Sequence, residues 1–237
     1  MDWIGDGIVV TRRHLFPLGA ALGLAATAGV TTAPARADSG AQAVVDHALV
    51  TLEDLRHDKE FGTALQLIPR ARAILIAPQI FKAGFFIGGE GGRAVLMARG
   101  RNGLWSNPAF YTVASGSFGL QIGAQESELI MFIMSERALI ALMSNRFEIG
   151  ANAGIAVATL GSTVAGATTT NAGADIIVWA SSSGAYAGIS LAGTLVQPQT
   201  DMDASYYGRP LTSGQIVLER LAHNPAAAPL VRSLDAL

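Results

Sequence analysis

The sequence predicts a single α+β domain: a glycine-rich, largely antiparallel β-sheet, or a partly closed barrel, flanked by helices. Three observations carry that expectation. One amphipathic helical stripe opens the region after residue 37, short apolar runs punctuated by glycine replace it beyond Pro69, and 27 glycines in 237 residues supply turns and close packing. Half of the residues are apolar and only 14% are charged, so the chain is neither a disordered, solvating polymer nor a polybasic nucleic-acid binder. The formal charge of -2 means that any electrostatic partner must meet a local patch. Cysteine is absent, which excludes disulfides, thiol nucleophiles, cysteine-rich zinc sites and a lipid-modified cysteine.

Residues 12–37 read as an export signal. Thr11-Arg12-Arg13-His14-Leu15-Phe16 precedes a charge-free apolar stretch to about Val30, and Ala35-Arg36-Ala37 forms a small-x-small cleavage site, so a mature chain would begin at Asp38. Adjacent arginines before a modest Ala/Gly-rich stretch resemble a twin-arginine signal, which implies passage across a membrane in the folded state. The apolar run is shorter than the roughly 20 residues of a membrane span, which argues against an anchor. Residues 1–10 carry two acids and fit a signal badly, consistent with an over-long start.

In the region 38–223 the elements follow in order. Ala41, Val44, Val45, Ala48, Leu52 and Leu55 recur at helical spacing, with Asp46, Glu53 and Asp54 opposite, which predicts a helix packed on the domain. Apolar runs predict strands at 73–77, 83–87, 94–98, 110–122 and 129–134, with Gly88-Gly89-Glu90-Gly91-Gly92 as a hairpin turn. A helix is expected over 135–145, and alternation of Phe147, Ile149, Ala151, Ala153, Ile155 and Val157 predicts a strand. The uncharged stretch from Ile149 to Ala174 suits a close-packed sheet of small residues. Two further strands are expected at 174–180 and 185–196, a capped helix at 212–221, and a loosely ordered Ala/Pro tail over 224–237.

Motifs for chemistry are mostly missing. Gly89-x-Gly91-x-x-Ala94 has the outline of a dinucleotide fingerprint, but no helix pattern follows it and the next acid is Glu126. No Gly-Lys pair exists for a P-loop, and Ser115-Gly116-Ser117-Phe118-Gly119 lacks the first glycine of a nucleophile elbow. His47, His57 and His223 are expected to face solvent, Asp201 and Asp203 to lie in a solvated turn, and Glu126 and Glu128 to be rim charges. No catalytic residue, cofactor or metal ligand is assigned.

Charge is the uneven feature. Arg70, Arg72, Lys82, Arg93, Arg99 and Arg101 crowd one segment with Glu90 the only acid among them, whereas no basic residue lies between Arg146 and Arg209. Interleaved with Phe81, Phe85 and Phe86, these side chains suit an acidic headgroup beside acyl chains. The alternative is that they line strand edges and oppose aggregation.

Several stretches resemble the SYLF domain family: Arg70-x-Arg72-Ala-Ile-Leu-Ile-Ala-Pro78, Gly88-Gly89-x-Gly91-Gly92, Trp105-Ser-x-Pro-Ala-Phe-Tyr111, Gly116-Ser-Phe-Gly-Leu-Gln-Ile-Gly-Ala-Gln125, Ala187-Gly-Ile-Ser-Leu-Ala-Gly193 and Tyr206-Tyr-Gly208. The resemblance runs in order from about Ala41 to Leu221. It implies a non-enzymatic lipid-binding domain, with phosphoinositide preference among eukaryotic members, actin binding among yeast relatives, and export to the envelope for bacterial members. Arg70, Arg72 and Lys82 then fall in the family's N-terminal basic segment. The chain departs from the family at Ser181-Ser182-Ser183-Gly184, where a cation is frequent, and at Ala192, where an acid is common. The expected partners are anionic membrane lipids or proteins of the cell envelope, with no nucleic acid; actin is not expected behind an export signal. Arg70, Arg72, Lys82, Phe85, Phe86, Arg93, Arg99 and Arg101 are the candidate lipid-binding residues.

Overall fold

A computed structural model describes residues 39–57, 62–84, 87–118, 125–151, 157–160, 173–182 and 193–237. The export signal, its cleavage site, and Phe85 and Phe86 lie outside the described residues. An α-helix, α1 (Ser39–His57), leads through a short α2 (Gly62–Leu65) into four long strands: β1 (Ala73–Gly84), β2 (Ile87–Ala98), β3 (Ala109–Phe118) and β4 (Gln125–Ile133). After α3 (Glu136–Leu142) come β5 (Phe147–Glu148), β6 (Val157–Leu160), β7 (Ile176–Ser182) and β8 (Leu195–Pro198). Three helices close the order: α4 (Thr200–Tyr207), α5 (Ser213–Val217) and α6 (Ala228–Asp235). The strands form one sheet in the order β5-β8-β3-β2-β1-β4-β7-β6, antiparallel except for the β6-β7 pair. The predicted α+β architecture is therefore the observed one.

Both faces of the sheet are covered, which is why its strands read as continuous apolar runs. On one face Leu75, Leu96, Tyr111, Met131 and Val178 pack under α3 and α5, which contribute Leu139, Leu142, Ile216 and Val217. On the other, Ile74, Val95, Phe110, Phe132 and Trp179 pack under α1, α4 and α6. The α1 stripe is buried as its spacing requires: Ala41, Ala48, Leu52 and Leu55 are at 0% exposure, Val45 at 2% and Val44 at 8%. Each buried leucine or valine contributes about 1.5–3 kcal/mol. Ser135 accepts from the Ala138 amide to start α3, and Thr212 with Gln215 forms a reciprocal capping box at α5.

Four expectations are corrected. Gly88–Gly92 is not a turn but the interior of β2, because the hairpin reverses between Gly84 and Gly88, which face each other across the ladder. The glycine need is steric: a bulge in β1 between Ile76 and Gln79 brings the Gln79 carbonyl to 2.0 Å from where a Cβ on Gly92 would stand. The strand expected at 147–157 divides, since Gly150 turns the chain with φ +87° after β5. Asp203 is not in a solvated turn; it lies at 0% exposure inside α4, whereas Asp201 is exposed. The tail is not loosely ordered: a 3-10 turn at Pro225–Ala227 and α6 follow Asn224, and Leu230 (0%) and Leu234 (1%) are buried against α1. His47, His57 and His223 are exposed, as read from the sequence.

Candidate functional site

The fold divides the basic segment. The start of β1 and the end of β2 lie side by side, so Arg70, Arg72, Arg99 and Arg101 gather at one end of the sheet, joined by the Arg99 amide donating to the Arg72 carbonyl at 2.8 Å. Arg93 stands exposed in mid-strand, across from Thr112. Lys82 is at the far end of β1, in register with Glu90 and Gln125 and about 33 Å from Arg72 at the rise of a strand. Phe81 is exposed on the same distal stretch.

Tertiary contact adds to the basic end what adjacency in sequence does not reveal. The turn at 100–104 closes through the Gly100 amide on the Leu104 carbonyl at 2.9 Å. Arg99 braces it through Nε on the Gly103 carbonyl at 2.8 Å and through Nη1 on the Pro69 carbonyl. Arg220 donates from Nη2 to Leu104 O at 2.5 Å and from Nη1 to Trp105 O at 3.4 Å, while its own backbone is held left-handed at φ +57°. That conformation is strained for a non-glycine residue by roughly 1–2 kcal/mol. Leu104 (51% exposed), Leu218 (51%) and Leu221 (47%) are exposed large apolar side chains, Leu221 following Arg220 in the chain. Arg209 in turn donates to the Leu221 carbonyl. Arg70, Arg72 and Arg101 are exposed and form no ion pair among the described residues. This end of the sheet thus combines exposed arginines with the exposed Leu104 of the turn.

The opposite part of the sheet holds a hollow on the face that carries α3 and α5 nearer the basic end. Ile80, Val113 and Leu129 line it beneath; Glu90, Ser115, Ser127 and Thr194 stand around it. These residues come from β1, β2, β3, β4 and the residue before β8, which span four strand spacings, about 19 Å if laid flat. One small, partly open hollow touches them all, so the sheet curls around it as a half-barrel. Ser115 Oγ donates to Glu90 Oε1 at 2.6 Å. Thr194 is 3% exposed and its hydroxyl has no hydrogen-bond partner. Its carbonyl accepts from the Ile149 amide at 2.9 Å, which fixes the residue on the sheet.

A family model described as Ysc84, "Las17-binding protein actin regulator", matches residues 114–237, slightly more than half of the chain. The chain belongs to the Ysc84 family. This is the SYLF family that the motif stretches resemble. Among relatives, Protein YSC84 of Saccharomyces cerevisiae is 28% identical over 189 residues, covering 76% of this chain and 40% of the relative. SH3 domain-containing YSC84-like protein 1 is 29% identical over 144 residues in Xenopus laevis, covering 60% of this chain and 43% of the relative. The human protein of that name is 26% identical over 170 residues, covering 71% and 49%. The chain thus spans about half or less of the length of these relatives.

Motif residues after β2 hold the scaffold together. Ser106 is 1% exposed and accepts from the Ala98 amide at 3.0 Å, pinning the loop before β3 to the end of β2. Tyr207 donates to the Pro108 carbonyl at 2.5 Å, and the Tyr206 ring stands edge-on to Phe110 at 5.0 Å. The Trp105 amide donates to Asp235 at 2.9 Å. Asp203 completes this clasp: where β8 ends, the free edge of β3 is met by its Oδ1, which accepts from the Phe110 amide at 2.9 Å. Burial pushes the Asp203 carboxyl up to about 7, partly offset by that hydrogen bond. Of the residues compared with a nucleophile elbow, Ser115–Phe118 lie within β3, and Gly119 is outside the described residues. Glu128 accepts from Thr51 of α1 at 2.8 Å. Among the described residues no group of three or more His, Asp or Glu side chains could hold a metal ion, and no helix is long and apolar enough to cross a membrane.

Proposed function

We propose that this Ysc84-family domain is exported and binds anionic phospholipid, phosphoinositide-like headgroups included, at a membrane surface without turnover, using the basic end of its sheet. The observation that carries the reading is the gathering of exposed Arg70, Arg72 and Arg101 at one end of the sheet, where the turn also exposes Leu104. Guanidinium groups pair phosphate in a planar fork, and a leucine beside them enters the boundary between headgroups and chains. Arg99 and Arg220, spent on carbonyls, hold the turn that presents Leu104.

Vesicle sedimentation tests it. The protein should pellet with phosphatidylglycerol-containing vesicles, not with pure phosphatidylcholine, and high salt should release it. A basic residue near an anionic surface contributes about 1 kcal/mol, so combined Arg70→Glu, Arg72→Glu and Arg101→Glu should weaken binding at least about a hundredfold. Lys82→Glu, at the other end, should change it little. Equal binding to both vesicle types would sink the electrostatic reading.

A second reading is supported by the relatives' names, one of which is LAS seventeen-binding protein 3 of Saccharomyces cerevisiae: a protein of the cell envelope docks on this domain. Reproducible cross-linking in cells to one protein, with no lipid co-isolated in native mass spectrometry, would favour it over the lipid reading.

A further inference from the structure

The turn at 100–104 carries both the exposed Arg101 and the exposed Leu104, so its shape decides how the basic end meets a surface. Little within the turn fixes that shape. The Gly100 amide donates to the Leu104 carbonyl at 2.9 Å, the Gly103 amide to the Gly100 carbonyl at 2.9 Å, and the Leu104 amide to Asn102 Oδ1 at 3.2 Å. An exposed loop closed by so few bonds opens readily when left to itself. Arg99 braces it from the residue after β2, whereas the second brace, Arg220, comes from 116 positions further along the chain than Leu104.

Three features set Arg220 apart. Its guanidinium reaches two successive carbonyls, those of Leu104 and Trp105, a fork that the point charge of a lysine does not reproduce. Its backbone is left-handed at φ +57°, which persists only where the surroundings enforce it. Room is also left for it: a Cβ on Gly100 would stand 2.5 Å from Arg220 Nη2 and 2.9 Å from Cζ. Gly100 has no positive φ, so this glycine answers to the guanidinium and not to the backbone. The segment that follows Arg220 holds the same loop further on, through the Asn224 amide on Asn107 Oδ1 at 3.1 Å and through Asp235, which accepts from the Trp105 amide.

We infer, on the reading that the basic end binds anionic membrane, that Arg220 is the positioning residue of the membrane-facing turn: it presets residues 100–104 so that Arg101 and Leu104 stand in place before any lipid arrives. The C-terminal segment thereby governs lipid affinity. Apparent affinity falls by the fraction of molecules whose site is competent, so loosening the turn weakens binding without removing a charge.

Two variants reach the same contact from opposite sides. Arg220→Lys keeps the charge and loses the fork, while Gly100→Ala leaves every charge in place and displaces the guanidinium from its carbonyls. Hydrogen exchange without lipid reads the turn directly: protection of the Gly100 amide should fall at least about tenfold in either variant. Sedimentation with phosphatidylglycerol vesicles reads the consequence. Each variant should bind about fivefold to tenfold more weakly than the parent, with the same dependence on salt because the number of cations is unchanged. The double variant should be no weaker than either single one, since both act through one contact. A Gly100 amide that stays protected, variants that bind as the parent does, or losses that simply add in the double variant overturn the inference. A parent that does not bind these vesicles sinks the membrane reading and the role in lipid affinity with it, an outcome distinct from a parent that binds while its variants match it.

Discussion

Asp203 shows how one side chain can hold an edge of the sheet and carry a pH signature. Its folded value is raised from 3.8 to about 7 by burial. A group raised in the folded state favours folding fully below its unfolded value, and that contribution is lost as pH climbs through the folded value. Stability should therefore fall between about pH 4 and pH 7 and level off above. Asp203→Asn keeps an acceptor for the Phe110 amide and removes the titration. The difference in melting temperature between parent and variant should move in the variant's favour across that window, by a free energy on the order of 2–4 kcal/mol. Asp203→Ala should destabilise by about 1–3 kcal/mol below about pH 4, because the Phe110 amide loses its acceptor, and that deficit should shrink as pH rises toward 7, since Ala too removes the titration. Parallel pH profiles for parent and Asp203→Asn would show that the carboxyl is not titrating in the folded protein.

The helix α6 turns a compositional impression into a test. Leu230 and Leu234 are buried against α1, and Arg56 donates to the Ser233 carbonyl at 2.7 Å, so deleting residues 224–237 removes part of the core. At about 1.5–3 kcal/mol for each leucine the loss is at least about 3 kcal/mol. For a domain of this size that lowers the melting temperature by about 6–12 °C. An unchanged melting curve would mean that the segment is an appendage after all. The sequence made some elements plain and hid others for physical reasons. Helix α1 was legible because six aliphatic residues share one stripe, and the apolar ends of β1 and β2 at 73–77 and 94–98, with β3 and β4, because a doubly covered sheet demands apolar runs; the strand expected at 83–87 instead straddles the junction of β1 and β2. Helix α4 was missed because its buried face consists of Asp203 and Tyr206, which give no aliphatic period. The glycines of β2 mimicked a turn because the approach of Gln79 that requires Gly92 is a tertiary event.

At the scale of the molecule, charge density along the chain found Arg70, Arg72, Arg99 and Arg101. It could not reveal that Arg220 joins them, since its bonds to the Leu104 and Trp105 carbonyls are made only in the fold. Nor could it show that Lys82 is carried to the far end. The pairing of α6 with α1 has a further consequence, for synthesis. Ser233 donates to Glu53 across 180 positions, and Gln42 meets the Ala226 carbonyl across 184. Contacts that distant in sequence slow folding, because a long loop must close before they form. A nascent chain still attached to the ribosome has α1 in hand but not its partner, so the layer under α1 stays incomplete until translation has passed residue 235. The core should close only once residues 224–237 have emerged, and a ribosome-stalled chain ending before Asn224 should remain sensitive to protease at the Leu52–Leu55 stretch.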